Sequence, residues 1–130
     1  MIVVDTNILV YFHLGGPALG AVERLWTSDP DWHAPALWRS EFCNVLAGYL
    51  RRGMSAADAR RICRRAEAQL RKREHRVSAA RVLTLAARSS CSAYDLEFVA
   101  LAQQLGVPLV TTDRQVLREF PRIAQPLPAV

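Results

Sequence analysis

The chain of 130 residues lacks the features that mark several large classes of protein. Its opening apolar run, Met1 to Val4, stops at Asp5, far short of the roughly 20 residues that a membrane span needs. No basic segment precedes this run, so we expect neither a transmembrane helix nor a signal peptide, and a cytoplasmic protein. With 51% apolar and 22% charged residues, the composition is that of a globular domain rather than a disordered or coiled-coil chain.

Several residue types that carry chemistry are also scarce. The chain has three cysteines, Cys43, Cys63 and Cys91. Their spacing matches no zinc motif, and we expect buried, reduced thiols. No glycine-rich phosphate loop occurs, because the pair Gly15-Gly16 precedes a proline, and there is no G-x-S-x-G motif. The three histidines, His13, His33 and His75, lie apart in the sequence, and we interpret each as a surface or hydrogen-bonded core residue.

Basic residues outnumber acidic ones by 17 to 12, and 10 of the 17 lie in the segment 51–76. They are Arg51, Arg52, Arg60, Arg61, Arg64, Arg65, Arg71, Lys72, Arg73 and Arg76. Such a patch can attract a polyanion such as nucleic acid. It can equally be the solvated face of helices in a chain whose basic residues are almost all arginine, and the sequence leaves both interpretations open.

The hydrophobic pattern predicts alternating strands and helices. We expect strands at 2–4, 32–34, 74–77 and 108–111, and a last edge strand that starts at Ile123. We expect helices at 8–14, 18–27, 37–52, 55–70, after Ser78, from Ser92 to Leu105, and at 114–119. This alternation is typical of an α/β fold, with a parallel sheet covered by helices on both faces, and with one domain over 1–130.

Four carboxylates occupy positions where structure alone does not call for them. Asp5 and Asp113 follow predicted strands, and parallel sheets bind ligands beyond the carboxyl ends of their strands. Glu41 lies on the inward stripe of its helix, and Asp95 lies on the core side of the first turn of its helix. Glu97, about 200° further round that helix, is expected to face solvent.

Each of these acids also has a plain structural interpretation. Asp5, Asp95 and Asp113 can cap helices, and Glu41 can pair with Arg39 or another arginine. Together, however, four carboxylates at one end of a sheet repel one another unless a cation lies among them. Oxygen ligands without nearby cysteine or histidine favour Mg²⁺ or Mn²⁺.

A carboxylate-bound Mg²⁺ suits phosphodiester cleavage, because it lowers the pKa of a bound water and polarises a phosphoryl oxygen. Short polar residues stand beside the acids and can orient the carboxylates or a metal-bound water. They are Thr6, Asn7, Thr111 and Thr112. Capping and turn formation are equally good roles for them.

These same elements resemble the PIN domain family. The resemblance rests on Asp5-Thr6-Asn7 after the first strand, an inward Glu41, Tyr94-Asp95 ahead of the run from Phe98 to Ala102, and Leu109 to Asp113. The resemblance covers Met1 to about Gln125, and the small VapC-type toxin ribonucleases are the members that the chain resembles most.

The resemblance implies a three-layer α/β/α fold and cleavage of RNA that depends on Mg²⁺ or Mn²⁺. It implies an acidic site at Asp5, Glu41, Asp95 and Asp113, with Thr111 as the threonine of the T-x-D element. It also implies a homodimer and a cognate antitoxin that inhibits the ribonuclease.

For the antitoxin we expect an arginine or lysine placed among the four acids. We also expect exposed aromatic anchors beside them, chosen from four residues that cannot all face inward if their helices are amphipathic. They are Tyr11, Phe12, Trp38 and Phe42.

Other functions agree less well with the sequence. A receiver-type phosphorylation domain needs adjacent acids after its first strand, but Thr6 follows Asp5. A phosphatase with a D-x-D nucleophile needs an acid at position 7, which is Asn7. The remaining alternative is a non-catalytic PIN-like module that binds RNA or protein; loss of one of the four acids would favour it, and none is lost.

Overall fold

The strands and helices follow one another in the predicted alternation. The computed structural model describes residues 1–128, and within them it has five strands and seven helices. In chain order they are β1 (Ile2–Val4), α1 (Thr6–Leu14), α2 (Leu19–Ser28), β2 (Trp32–Pro35), α3 (Trp38–Arg51), α4 (Ala56–Gln69), β3 (Glu74–His75), α5 (Ala79–Ala86), α6 (Ala93–Leu105), β4 (Leu109–Val110), α7 (Arg114–Glu119) and β5 (Ala124–Gln125). Every predicted element is present, and its boundaries differ from the prediction by at most two residues.

The five strands form one parallel sheet in the order β3-β2-β1-β4-β5. The central strand β1 pairs with β2 through Val3 and His33, and with β4 through Val4 and Val110. The prediction of a parallel sheet between two helical layers is therefore confirmed. The predicted domain extends to residue 130, and its last two residues lie outside the described part of the chain.

Local capping explains where the helices begin and end. Ser55, Ser78 and Ser92 each accept a hydrogen bond from the backbone N–H three residues later, at the first turns of α4, α5 and α6. Gly106 ends α6 in the left-handed conformation, with φ of 67°. The Ser92 cap matters for function because it fixes the first turn of α6, which carries Asp95.

The helices α1 to α4 pack against one another, and this packing corrects one expectation. Trp38 and Phe42 are fully buried, and the ring of Phe12 packs at an angle against Trp26 and Trp32, with centroid distances of 5.3 and 5.2 Å. Of the four residues among which exposed anchors were expected, Trp38 and Phe42 therefore cannot serve, because α3 is covered by α1 and α4. Tyr11 and Phe12 are half-buried.

Parallel pairing of β2 and β3 brings together two histidines that are distant in the sequence, with Nδ1 of His33 2.8 Å from Nε2 of His75. His33 is thus a hydrogen-bonded core residue, as interpreted from the sequence. The expectation of three buried thiols, in contrast, is wrong. All three cysteines are free, but Cys43 is exposed on α3 rather than buried. Among the helices formed by residues 1–128, none has the length and apolar character to cross a membrane.

Candidate functional site

A small polar cavity opens at the carboxyl edge of the sheet, where β1 and β4 end. It has a volume of about 240 Å³. Its lining consists of Asp5, Thr6, Asn7, Glu41, Asn44, Val45, Asp95 and Asp113. The four acids singled out in the sequence thus line one cavity, although they come from four different elements separated by up to 108 residues. We call it the carboxylate cavity.

Asp5, directly after β1, is held on both of its carboxylate oxygens. Its Oδ1 accepts a hydrogen bond of 2.7 Å from the backbone N–H of Thr6, and its Oδ2 accepts one of 2.7 Å from the hydroxyl of Thr111. Asp5 also caps α1, as the structural interpretation held. Capping and participation in the cavity are therefore compatible roles for this residue.

Glu41 reaches the cavity from the first turn of α3. The hydroxyl of Thr6 donates a hydrogen bond of 2.7 Å to its Oε1. Glu41 does not pair with Arg39, because that arginine contacts Glu67 and Glu74 instead. Thr6 consequently links the first two acids, since its backbone N–H holds Asp5 and its side chain holds Glu41.

Asp95 and Asp113 stand at the starts of α6 and α7. Oδ1 of Asp113 caps α7 by accepting a hydrogen bond of 3.0 Å from the N–H of Val116. Asp95 uses its backbone N–H to contact the Ser92 hydroxyl, whereas no donor within residues 1–128 contacts its carboxylate. The carboxylate of Asp113 is therefore engaged in a helix cap, whereas the carboxylate of Asp95 is free to meet a ligand.

Burial and mutual repulsion make charge costly in this cavity. Burial raises the pKa of Asp5, and the nearby carboxylates of Asp95 and Asp113 raise it further. Burial likewise raises the pKa of Glu41, with added repulsion from Asp5, Asp95 and Glu97. In both residues the threonine hydroxyl opposes the rise, because it donates to the charged form.

The structure adds side chains near the cavity that the sequence analysis missed or misplaced. Glu97 is half-buried, with its pKa raised by burial, and it is close enough to repel Glu41, so the expectation that it faces solvent is wrong. The reason is that the middle of α6 is buried all round, at Leu96 and residues 98–102, so that periodicity gives no outer face there. Asn44, one turn beyond Glu41 in α3, joins the lining, and its i+3 spacing was the available signal.

The predicted orienting residues divide into two groups. Thr6 and Thr111 hold carboxylates directly, as described above, and Asn7 is an exposed part of the lining. Thr112 is half-buried and lies beyond the lining residues. The exposed aromatic residue of this region is Tyr94, 64% exposed and adjacent to Asp95, rather than any of the four expected anchors.

The donor set of the cavity suits a hard divalent cation. Four carboxylates and the side chain of Asn44 supply oxygen, and no basic side chain is among the lining residues. None of the four acids forms an ion pair within residues 1–128. Within residues 1–128, no three carboxylate, histidine or cysteine side chains are gathered closely enough to hold a metal ion in their present positions.

This combination of fold and site is that of a PIN domain. The model of the PIN domain family matches residues 2–124, and the chain belongs to that family. The chain is 28% identical to Ribonuclease VapC3 of Pyrobaculum aerophilum over 129 residues, which are 96% of this chain and 98% of that protein.

Solved structures agree on the fold. The crystal structure of PAE2754 from Pyrobaculum aerophilum superposes with a TM-score of 0.75 at 20% identity, over 97% of this chain and 90% of that one. A toxin-antitoxin complex from Klebsiella pneumoniae superposes with a TM-score of 0.70 at 18% identity, over the whole of both chains. The family model thus confirms the PIN domain recognised in the sequence, and the similarity to Ribonuclease VapC3 agrees with a VapC type.

Proposed function

We propose that this protein is an endoribonuclease that depends on Mg²⁺ or Mn²⁺ and acts as the toxin of a toxin–antitoxin pair. The observation that carries the proposal is the carboxylate cavity, where four acids meet without any basic side chain among the lining residues. The similarity to Ribonuclease VapC3 supports RNA as the substrate. A bound divalent cation would supply an activated water and neutralise charge on the phosphoryl group.

The residues of this chain have distinct parts in such a reaction. Asp5, Glu41, Asp95 and Asp113 would hold the cation and, with it, a backbone phosphate of the RNA. Thr111 and Thr6 favour the ionised forms of Asp5 and Glu41 and fix their positions in the cavity, because each hydroxyl donates to a carboxylate oxygen. Asn44 and Asn7 offer uncharged polar groups that can contact the RNA without repelling its phosphates.

Cleavage of RNA by the purified protein tests the proposal. A fluorescently labelled single-stranded RNA should be cut in the presence of Mg²⁺ and stay intact with EDTA. Asp5→Asn should reduce the rate by at least about a hundredfold, since the amide is similar in size but has no charge to bind the cation. Asp58→Asn, an exposed carboxylate paired with Arg61 on α4, is the matched control and should cleave normally. Metal-independent cleavage, or an Asp5→Asn protein that cleaves normally, would contradict the assignment and leave the binding-module alternative.

The toxin role makes a separate prediction in cells. Induced expression of the wild-type chain should arrest growth, while expression of Asp5→Asn at an equal level should not. The structural similarity to a toxin-antitoxin complex supports an inhibitory partner, and a basic side chain of that partner would fit the carboxylate cavity. Equal growth with both proteins would remove the toxin role while leaving the ribonuclease reaction untouched.

We also propose a homodimer, as expected from the family resemblance. Light scattering on the purified protein should give about twice the monomer mass of 14.5 kDa. A monomer at micromolar concentration would contradict this part of the proposal alone.

A further inference from the structure

The helices α3 and α4 form an antiparallel pair, and one ion pair defines which residues face each other. Four residues separate Arg51, the end of α3, from Ala56, the start of α4, so the helices lie side by side and run in opposite directions. Across them, Nε of Arg39 contacts Oε2 of Glu67 at 3.4 Å. In an antiparallel pair, a step forward on one helix therefore matches a step back on the other.

One turn further along, the same register places Cys43 of α3 opposite Cys63 of α4. The two cysteines stand four residues after Arg39 and four residues before Glu67, respectively. The thiol of Cys63 lies on the same face as Glu67, since it donates a hydrogen bond of 3.8 Å to Oε1 of that residue. The meeting of the two thiols is thus a consequence of helix packing and not of a sequence motif.

Small side chains allow the two helices to approach closely at this level. Ala59 and Ala66 lie one turn to either side of Cys63, and both are buried where α4 packs on α1 and α3. Packed helices bring the Cα atoms of opposed residues to roughly 4–7 Å, because each Cα lies about 2.3 Å from its helix axis. A disulfide bond spans Cα separations of about 4.4–6.8 Å. The packing therefore suits a disulfide between opposed positions.

The two thiols differ in their access to solvent. Cys43 is exposed, whereas Cys63 is half-buried between the helices. Burial raises the pKa of the Cys63 thiol to about 11, and the adjacent Cys43 thiol and Glu67 carboxylate add to the rise. Because the thiolate is the nucleophile in thiol chemistry, Cys43 is the residue that reacts first with a reagent from solvent.

We propose that Cys43 and Cys63 form a dithiol site, which a low-molecular-weight disulfide oxidises to a bond between α3 and α4. The Cys43 thiolate attacks one sulfur of the reagent, which forms a mixed disulfide and releases one thiol. Cys63 then attacks the Cys43 sulfur and releases the second thiol, with Glu67 placed to accept the proton that Cys63 loses. Two protein thiols and one disulfide thereby become one protein disulfide and two thiols, so the electrons and protons balance.

The bond would cross-link the helix that presents Glu41 and Asn44 to the carboxylate cavity. Cys43 follows Glu41 by two residues, about 200° further round α3, so the bond forms on a face of the helix away from Glu41. Cys91 has no part in it, since this buried thiol donates to Oε2 of Glu119 at 3.4 Å. The bond would therefore fix α3 without entering the cavity, and the inference does not depend on the ribonuclease reaction.

Oxidation of the native protein by glutathione disulfide tests the proposal. After the reagent is removed, wild type should keep one of its three free thiols, and peptide mass spectrometry should find Cys43 and Cys63 joined within one chain. Cys91→Ala is the matched control and should form the same bond. The proposal would be overturned by a bond that includes Cys91, by a bond between two copies of the chain, by glutathione that stays on Cys43 in wild type, or by a protein that is not oxidised.

Two single variants test the order of the steps. Cys63→Ser should retain glutathione on Cys43, because no second thiol displaces it, whereas Cys43→Ser should keep its remaining thiols reduced. Glutathione on Cys63 in the Cys43→Ser protein would contradict the assigned roles.

Thermal unfolding tests whether the helices already stand at the separation that the bond needs. Oxidised wild type should have a Tm about 5 °C or more above that of the reduced protein, because the bond closes a loop in the unfolded chain. The difference should disappear after reduction with dithiothreitol, and it should be absent in Cys63→Ser. A lower Tm on oxidation would mean that the bond distorts the helix pair, and would contradict the register described above.

Discussion

The hydroxyl of Thr111 bridges Asp5 and Asp113. It donates a hydrogen bond of 2.7 Å to Oδ2 of Asp5 and accepts one of 3.0 Å from the backbone N–H of Asp113. Thr111 is completely buried, so water cannot replace either contact. One side chain thus joins the carboxyl end of β1 to the start of α7 and positions two of the four acids relative to each other.

Replacing Thr111 by Val should damage the site while preserving most of the fold. The substitution is similar in shape but removes the donor to the charged form of Asp5, which raises the pKa of Asp5 further. We expect about a tenfold lower rate of RNA cleavage at pH 7 and a loss of about 1–2 kcal/mol in the free energy of unfolding. Thr111→Ser keeps the hydroxyl and should retain most activity. Equal cleavage rates in the Val and wild-type proteins would show that the bridge does not matter for the reaction.

Asp5→Asn should stabilise the metal-free protein at neutral pH. The pKa of Asp5 is raised in the folded state above its usual 3.8. The folded protein therefore gains stability from protonated Asp5 below pH 3.8, and loses it as the pH rises through the folded-state pKa. The neutral amide avoids this loss. In EDTA we expect a Tm about 2–4 °C above wild type at pH 7, and a smaller difference near pH 3. A lower Tm for Asp5→Asn at pH 7 would mean that the hydrogen bonds to Asp5 outweigh the repulsion.

Glu119 should protect the fold against acid. Its hydrogen bonds from Ser90 hold its pKa at about 2, well below the usual 4.5. A depressed pKa gives stability that is present above 4.5 and is lost as the pH falls towards 2. Glu119→Gln should therefore unfold at a higher pH than wild type in an acid titration followed by circular dichroism. Identical acid transitions in the two proteins would exclude a role for this carboxylate in acid stability.

Trp38→Ala should destabilise the protein instead of removing a partner contact. The indole is completely buried and its Nε1 donates a hydrogen bond of 2.7 Å to Glu74. We expect a loss of about 3–5 kcal/mol in urea denaturation. Tyr94→Ala, at an exposed aromatic residue, is the control and should change stability by less than about 0.5 kcal/mol. Similar stability of Trp38→Ala and wild type would contradict the burial described for α3.

The fold could be predicted because its signals are local. The run Ile2 to Val4 is too short for a helix and too apolar for a loop, and serines at 55, 78 and 92 mark helix starts by their capping chemistry. The positions of Asp5 and Asp113 followed from one further rule, that parallel strands end at the same edge of a sheet. Glu41 was found because a carboxylate on an apolar stripe needs an explanation.

What could not be predicted depends on packing between elements distant in sequence. His33 meets His75 only because β2 and β3 are neighbours, an order that no local pattern specifies. The burial of Trp38 follows from the contact of α3 with two other helices, and amphipathicity assumes only one covered face.

The measurement that tests the central claim most directly is the binding of Mn²⁺ to the purified protein by isothermal titration calorimetry. The claim is that Asp5, Glu41, Asp95 and Asp113 together hold a divalent cation for RNA cleavage. We predict saturable binding by wild type and by Asp58→Asn, and affinity at least about tenfold weaker for Asp5→Asn and for Glu41→Gln. Equal Mn²⁺ affinity in all four proteins would contradict the claim, because the cation would then bind somewhere other than the carboxylate cavity.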